Sequence, residues 1–242
     1  MGKLDGKIAI VTGAARGIGR GIALAFAAEG ASVVAVDRDG PGAERVAGEV
    51  GGIAVQADVS REEDVRRMVE RALAAFARID VLVNNAGIAA SSDVVDMPLA
   101  QWQETLDVDL TGVFLCTRAV LPAMIEQGSG RIVNIGSQLG LRGAPALAHY
   151  SAAKAGVHGF TKALAREVAR HGITVNAIAP GPIDTDIIRD IDAETMAGIL
   201  REIPLGRLGR IEEIAPTAVL LASDEGAYYT GSVLNVSGGH VM

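Results

Sequence analysis

The stretch Lys7-Ile8-Ala9-Ile10-Val11-Thr12-Gly13-Ala14-Ala15-Arg16-Gly17-Ile18-Gly19 decides the fold. Its first half is a short apolar run of β-branched character, the pattern of a strand buried on both faces, as in a parallel sheet. Its second half holds three glycines and runs into Ile22-Ala23-Leu24-Ala25-Phe26, a helical pattern. Strand, glycine-rich turn, helix is a setting in which backbone can approach a pyrophosphate closely. The helix N-terminus adds free N–H groups and a favourable dipole. The glycines also satisfy a plainer reading, a tight turn that needs positive φ. Their spacing, Gly-xxx-Gly-x-Gly, departs from the G-x-G-x-x-G dinucleotide fingerprint.

Outward from this stretch the same unit recurs. Ser32 to Val36 is a second strand, ending in Asp37, and Ile53 to Ala57 a third, ending at Asp58. Ser60-Arg61-Glu62-Glu63 has capping-box spacing and starts a helix through about Ala77. Val81-Leu82-Val83 is followed by Asn84-Asn85-Ala86-Gly87, either a turn or a ligand contact at a strand's carboxyl end. Pro98 begins a long helix to about Gln127, and Arg131 to Gly136 is a strand delivering Ser137. A helix from His149 to about Arg170 follows, then the strand Thr174–Ala179 closed by Pro180-Gly181-Pro182. Glu212 to Ala222 is a further helix and Val233 to Val236 a last strand. Alternation throughout means a doubly wound parallel sheet of about seven strands with helices on both faces, an α/β fold. No linker or repeat divides residues 1–242, so one domain is expected, with a substrate lid at about 183–206 where periodicity is weak.

Composition narrows the function classes. A net charge of −7 with scattered basic residues gives no support for a nucleic-acid partner. The single Cys116 excludes an intramolecular disulfide framework and multi-cysteine zinc sites, and no metal is expected. No signal-peptide core and no run of about 18 apolar residues is seen, so a cytoplasmic protein without a membrane partner is expected. A 3% aromatic share suits a core of Val, Ile, Leu and Ala with closely packed helices.

Right-handed crossovers bring the turn Gly13–Gly19, Asp37, Asn84–Gly87, Ser137 and Pro180-Gly181 to one sheet edge. An acidic Asp37 at the end of the second strand can bind ribose hydroxyls and repel a 2′-phosphate, which favours NAD over NADP, although Arg16 and Arg38 could meet a phosphate. Asp37 can equally be a turn or cap residue. Tyr150 and Lys154 lie four apart and project together from their helix. A phenol beside an ammonium is a proton donor and acceptor for near-neutral pH. By themselves they fit equally well an aromatic near a helix start and a solvated lysine.

Together these elements resemble the classical short-chain dehydrogenase/reductases over essentially the whole chain. The matching motifs are Thr12 to Gly19, Asn84 to Gly87, Ser137, Tyr150 to Lys154, and Pro180-Gly181. Within the family the 3-oxoacyl-[acyl-carrier-protein] reductases and related sugar or polyol dehydrogenases look nearest. The resemblance implies a Rossmann-type fold and hydride exchange between a nicotinamide cofactor and a secondary alcohol or ketone. It implies that Tyr150 is the acid/base, that Lys154 binds the nicotinamide ribose and lowers the tyrosine pKa, and that Ser137 steadies charge on the substrate oxygen. By the same resemblance Gly13, Ala15, Arg16, Gly17, Ile18 and Gly19 hold the pyrophosphate, and Asp58 and Val59 bracket the adenine. Asn85, Ala86 and Gly87 line the cofactor with Pro180 and Gly181, while Ile183 and Thr185 hold the carboxamide. Gln138 and His149 are substrate-cleft candidates, His149 being equally a packed histidine, and a homotetramer is expected. One departure stands out: Asp109 occupies the place where the family usually has an Asn organising a water relay to the lysine. Two alternatives accompany the leading reading of an NAD(H)-preferring alcohol/ketone oxidoreductase. One is an NADPH-dependent 3-oxoacyl-[acyl-carrier-protein] reductase, the other a nucleotide-binding sensor without turnover.

Overall fold

The apolar residues of each central strand sort onto two faces with period two, and each set meets its own helices. The structure, a computed structural model, describes residues 2–185, 188 and 192–242. Strands β1 (Ile8–Thr12), β2 (Ser32–Asp37), β3 (Ile53–Gln56), β4 (Val81–Asn84), β5 (Gly130–Ile135), β6 (Ile173–Pro180) and β7 (Val233–Val236) form one parallel sheet in the order β3-β2-β1-β4-β5-β6-β7. Between them lie α1 (Gly17–Ala28), α2 (Gly40–Val50), α3 (Glu62–Phe76), α4 (Leu99–Leu106), α5 (Gly112–Gln127), α6 (Leu139–Arg142), α7 (Ala148–Val168), α8 (Ala193–Glu202) and α9 (Ile211–Ala222).

Ala9, Val11, Val33, Val81 and Val83 pack against Ile22 and Phe26 of α1 and Ile214, Ala218 and Leu221 of α9. On the other face Ile10, Val34, Leu82, Ile132 and Val175 meet Val65 and Met68 of α3, Val120 and Met124 of α5, and Leu164 and Val168 of α7. The doubly wound sheet expected from the alternation is therefore present. The strand order reverses between β1 and β4, so the loops leaving their carboxyl ends diverge and open a crevice there.

Several expectations change. Ser60 does not cap α3. Its hydroxyl donates to Asp58 Oδ1 at 2.6 Å, and Asp64 in the first helical turn accepts the Asp58 N–H at 3.0 Å, so the loop is tied from the carboxylate side. The helix after Pro98 is not uniform: α4 and α5 are joined by a π turn, Asp107–Thr111, which inserts an extra residue and rotates Asp109 inward. The combined helix Leu99–Gln127 is also long and apolar enough by length and composition to cross a bilayer. Here its apolar residues Cys116, Val120 and Met124 fill the core beside the sheet. Residues 186, 187 and 189–191 of the expected lid lie outside the described residues. The remainder of that lid includes α8, capped by Asp192, whose Oδ1 accepts from the Glu194 and Thr195 N–H groups at 3.0 and 2.9 Å.

Candidate active site

The glycine turn after β1 is built to bring backbone close. Gly13 sits at φ +63°, and a Cβ on Gly19 would lie 2.1 Å from the Gly13 carbonyl oxygen and 2.4 Å from Asn85 Nδ2. Only hydrogen fits there, so β1, α1 and the loop after β4 meet at one point. Asn85 seals it by donating from Nδ2 to the Thr12 and Gly13 carbonyls at 2.9 and 3.0 Å. Thr12 Oγ1 in turn accepts the Asn85 and Ala86 N–H groups at 3.0 and 3.1 Å. Helix α1 begins at Gly17 with no side-chain cap, which leaves the N–H groups of its first turn for an anion. A dinucleotide pyrophosphate fits this cradle: a closely approached glycine backbone, an uncapped helix end and no acidic residue in the first turn.

Asp37, at the end of β2, divides its carboxylate oxygens between this turn and the loop that follows β2. Oδ2 accepts from the Ala15 N–H and Oδ1 from the Asp39 N–H, each at 3.0 Å. The negative charge is thus fixed beside the pyrophosphate cradle. Arg16 and Arg38 are exposed, and among the described residues neither has an ion-pair partner. Arg45 of α2, which the sequence reading missed, donates to the Ala15 carbonyl at 3.0 Å and braces the turn from outside. Asp58 holds Ser60 as described, and Val59 is buried against Gly112, where an added Cβ would lie 2.8 Å from Val59 Cγ2. Across the crevice, Pro180 is buried at the end of β6. Gly181 abuts Ser237 so closely that a Cβ would come within 2.7 Å of its Cα. Ile183 bridges to Gly209, and Thr185 Oγ1 donates to the Ile183 carbonyl at 3.3 Å.

The central side chains arrive from three elements. Ser137 is 8% exposed just after β5, its hydroxyl accepting the Leu139 N–H at 3.1 Å. Tyr150 and Lys154 come from the first turns of α7, with the ammonium 5.5 Å from the phenol ring centre. Lys154 is buried and donates to the Ile135 carbonyl at 3.2 Å. Asp109, delivered by the π turn and fully enclosed, places Oδ2 3.2 Å from Lys154 Nζ, an ion pair angled away from hydrogen-bond alignment. Its Oδ1 accepts the Ile88 N–H at 2.8 Å. Gly87 makes room for this pair: a Cβ there would sit 2.9 Å from Asp109 Oδ2 and 3.3 Å from Lys154 Nζ. Burial works against the ammonium, but the charges of Asp109 and Tyr150 outweigh it and hold the Lys154 pKa above the ordinary lysine value.

Helix α7 is held to the sheet by a closed polar chain. Asn84 Nδ2 donates to Asn134 Oδ1 at 2.8 Å and to Thr117 Oγ1 at 3.0 Å, and Asn134 Nδ2 donates to Thr161 Oγ1 at 2.9 Å. All four residues are buried, so any slip of α7 along β5 would strand polar groups. Both cleft candidates are buried and turn to protein partners. His149 is fully enclosed with its ring 3.4 Å from the Gln101 amide nitrogen, so it packs α7 against α4 instead of facing a ligand. Gln138 is 4% exposed, and its Nε2 turns to His240 Nδ1 at 2.9 Å. Behind Ser137 sits a further residue the sequence reading passed over. His158 is 4% exposed with both ring nitrogens unpartnered, against Gly136 and Gly140.

Comparison with known proteins agrees with this geometry. Residues 13–240 match a family model described as Enoyl-(Acyl carrier protein) reductase. A 3-oxoacyl-[acyl-carrier-protein] reductase of Synechocystis sp. is 49% identical over 249 residues, covering 100% of both chains. A relative of the same description from Escherichia coli is 45% identical over 240 residues, 98% of each chain. Among solved structures, a short-chain type dehydrogenase/reductase from Mycobacterium marinum superposes with TM-score 0.94 at 39% identity, over 98% of this chain and 96% of its own.

Proposed function

The chain belongs to the short-chain dehydrogenase/reductase family and is an oxidoreductase acting on CH–OH donors with a nicotinamide cofactor; from that premise we propose that it reduces 3-oxoacyl thioesters to 3-hydroxyacyl thioesters. The observation that carries this is full-length similarity to reductases of that description at 49% and 45% identity. The leading sequence expectation, a general alcohol/ketone oxidoreductase, gives way to its alternative on this ground, and a sensor without turnover has no support. We further propose that NADH serves in place of NADPH. Asp37 holds its charge beside the turn, where a 2′-phosphate would face an anion.

A nicotinamide held at this sheet edge would supply the hydride. Ser137 presents its hydroxyl to the substrate carbonyl oxygen and stabilises the negative charge that develops there. Tyr150 delivers the proton to that oxygen in reduction and accepts it in oxidation. Lys154, held by Asp109 and the Ile135 carbonyl, keeps a positive charge 5.5 Å from the centre of the Tyr150 ring. Gly13–Gly19 would hold the pyrophosphate, Asp58 and Val59 would border the adenine, Asn85, Ala86, Gly87, Pro180 and Gly181 would line the cofactor, and Ile183 and Thr185 would hold the carboxamide. We also place the protein in the cytoplasm as a homotetramer joined through α5 and α7. Their outer faces carry Phe114, 42% exposed and edge-on to Phe160, and Ile125, 41% exposed.

The test is steady-state reduction of an acetoacetyl thioester with NADH and with NADPH, for the parent and Asp37→Ala. The proposal requires turnover, a lower KM for NADH in the parent, and at least a roughly tenfold relative gain for NADPH in the variant. Preference for NADPH in the parent would sink the Asp37 assignment, and no turnover of any 3-oxoacyl thioester would sink the substrate class.

A further inference from the structure

One polar cluster, buried on the His240 and Gln138 side and open on the Arg142 and Glu202 side, takes no part in this mechanism. After β7 the chain turns back on itself through Gly238 and Gly239, at φ +64° and +88°. It lies so close to the segment following α8 that a Cβ on Gly238 would meet Ile203 Cγ2 at 3.0 Å and one on Gly239 would meet Pro204 Cγ at 2.8 Å. The Leu205 N–H donates to the Gly238 carbonyl at 3.2 Å, fastening the two. The next residue, His240, has a side chain only 6% exposed, and its ring reaches two elements at once. Nε2 lies 3.1 Å from Glu202 Oε2 at the end of α8, and Nδ1 lies 2.9 Å from the amide nitrogen of Gln138, which directly follows Ser137. Arg142 of α6 donates to the same Glu202 oxygen at 2.7 Å and touches the His240 ring.

Nδ1 faces the Gln138 amide, and Nε2 faces both the Glu202 carboxylate and the Arg142 guanidinium, so the imidazole bridges these elements whichever ring nitrogen carries the proton. Gln138 is itself anchored by its N–H, which donates to the Pro180 carbonyl at 3.0 Å, and its Oε1 is enclosed with no partner. Among the described residues, His240 is therefore the only group that orients the Gln138 side chain. Three segments far apart in sequence, the turn after Ser137, the end of α8 and the chain's last residues, meet on one imidazole.

We propose that His240 is a positioning residue that couples α8 to the turn carrying Ser137, so that substrate binding and placement of the serine hydroxyl are set together. This rests on the reading of Ser137 as the group that meets the substrate oxygen. Two conservative variants divide the link. Asn at this position places an amide near where Nδ1 stands, and Gln places one near where Nε2 stands.

The experiment compares the parent with His240→Ala, His240→Asn and His240→Gln in two readouts. These are acetoacetyl-CoA reduction with saturating NADH or NADPH, and hydrogen exchange of α8 amides in the protein alone. His240→Ala is expected to raise KM for the thioester about tenfold, as loss of two hydrogen bonds, one of them to a charged group, allows. KM for the cofactor is expected to stay within about twofold, and α8 amides to exchange faster. His240→Gln is expected to restore α8 protection and His240→Asn to leave it fast. A merely structural role would lower the active fraction, and so kcat, without moving KM. The proposal is overturned if His240→Ala leaves thioester KM within about twofold of the parent, or if α8 exchange is the same in all four proteins. A parent that fails to turn over the thioester condemns the proposed function instead, and the exchange pattern still decides the link.

Discussion

Replacing Asp109 with Asn keeps the side chain's shape and removes its charge, which isolates what the carboxylate does for Lys154. In the parent the ammonium is buried between Asp109 Oδ2 and the Ile135 carbonyl, each 3.2 Å away. Breaking a buried pair from one side costs about 3–5 kcal/mol because the remaining charge is left desolvated and unpaired. The amide oxygen of Asn keeps part of the contact, so we expect a loss near the low end, about 3 kcal/mol. For a chain of this size that lowers Tm by about 6–12 °C. The sign with pH follows from the direction at Lys154. Burial opposes the charge, but Asp109 and Tyr150 outweigh it and raise the pKa. A raised lysine contributes stability that is complete below its unfolded value and is lost only as pH climbs through the folded one. With Asp109 neutralised, burial dominates, so the ammonium weakens the folded state at neutral pH and is relieved as the solution becomes alkaline. Thermal unfolding of parent and variant at about pH 7 and about pH 10 should therefore show a gap that narrows at the higher pH. An equal gap at both values, or one under about 1 kcal/mol, would refute the reasoning.

Three further outcomes are expected. Burial first, and then Lys162 and Lys154, press the His158 pKa down from 6.5 to about 4. Stability should accordingly fall as pH drops from 6.5 towards 4, by up to about 3 kcal/mol. His158→Leu should flatten that decline in urea titrations and lose nothing at pH 7.5, and a parallel decline in both proteins would exclude His158 as the cause. Gly19→Ala should abolish cofactor binding measured by fluorescence or calorimetry, because its Cβ cannot be placed 2.1 Å from the Gly13 carbonyl without moving the turn; unchanged affinity would show the turn to be pliable. Asn134→Leu should cost about 2–4 kcal/mol by leaving the amide of Asn84 and the hydroxyl of Thr161 without their present partner, and a smaller loss in chemical denaturation would mean that the two groups find other partners.

How much of this was legible depended on how local the signal was. The strand Ile8–Thr12 and its turn could be read because buried parallel strands are continuous apolar runs and the turn's glycines fall between strand and helix. Tyr150 and Lys154 could be paired because four residues along a regular helix is a fixed geometry. Asp109 was placed by resemblance, but its direct pairing with Lys154 depends on a π turn that breaks the 3.6-residue period, and periodicity carries no sign of an inserted residue. Ser60 failed as a cap because Asp58 and Asp64 compete for the same loop groups, and propensity rules do not rank such competition. The short helix α6 has four residues, too few to show a period. His240, Glu202, Arg142 and Gln138 converge from positions up to 102 apart, so nothing in their neighbourhoods announces the cluster.

The most direct test of the central claim is the rate of acetoacetyl thioester reduction by the parent and by Tyr150→Phe, followed through nicotinamide absorbance with cofactor affinity measured alongside. We predict turnover in the parent and a loss of about 10²–10⁴-fold in kcat for Tyr150→Phe, with cofactor affinity preserved. A parent without activity on the thioester, or a Phe variant that reduces it as fast as the parent, would contradict the assignment of Tyr150 as the proton donor.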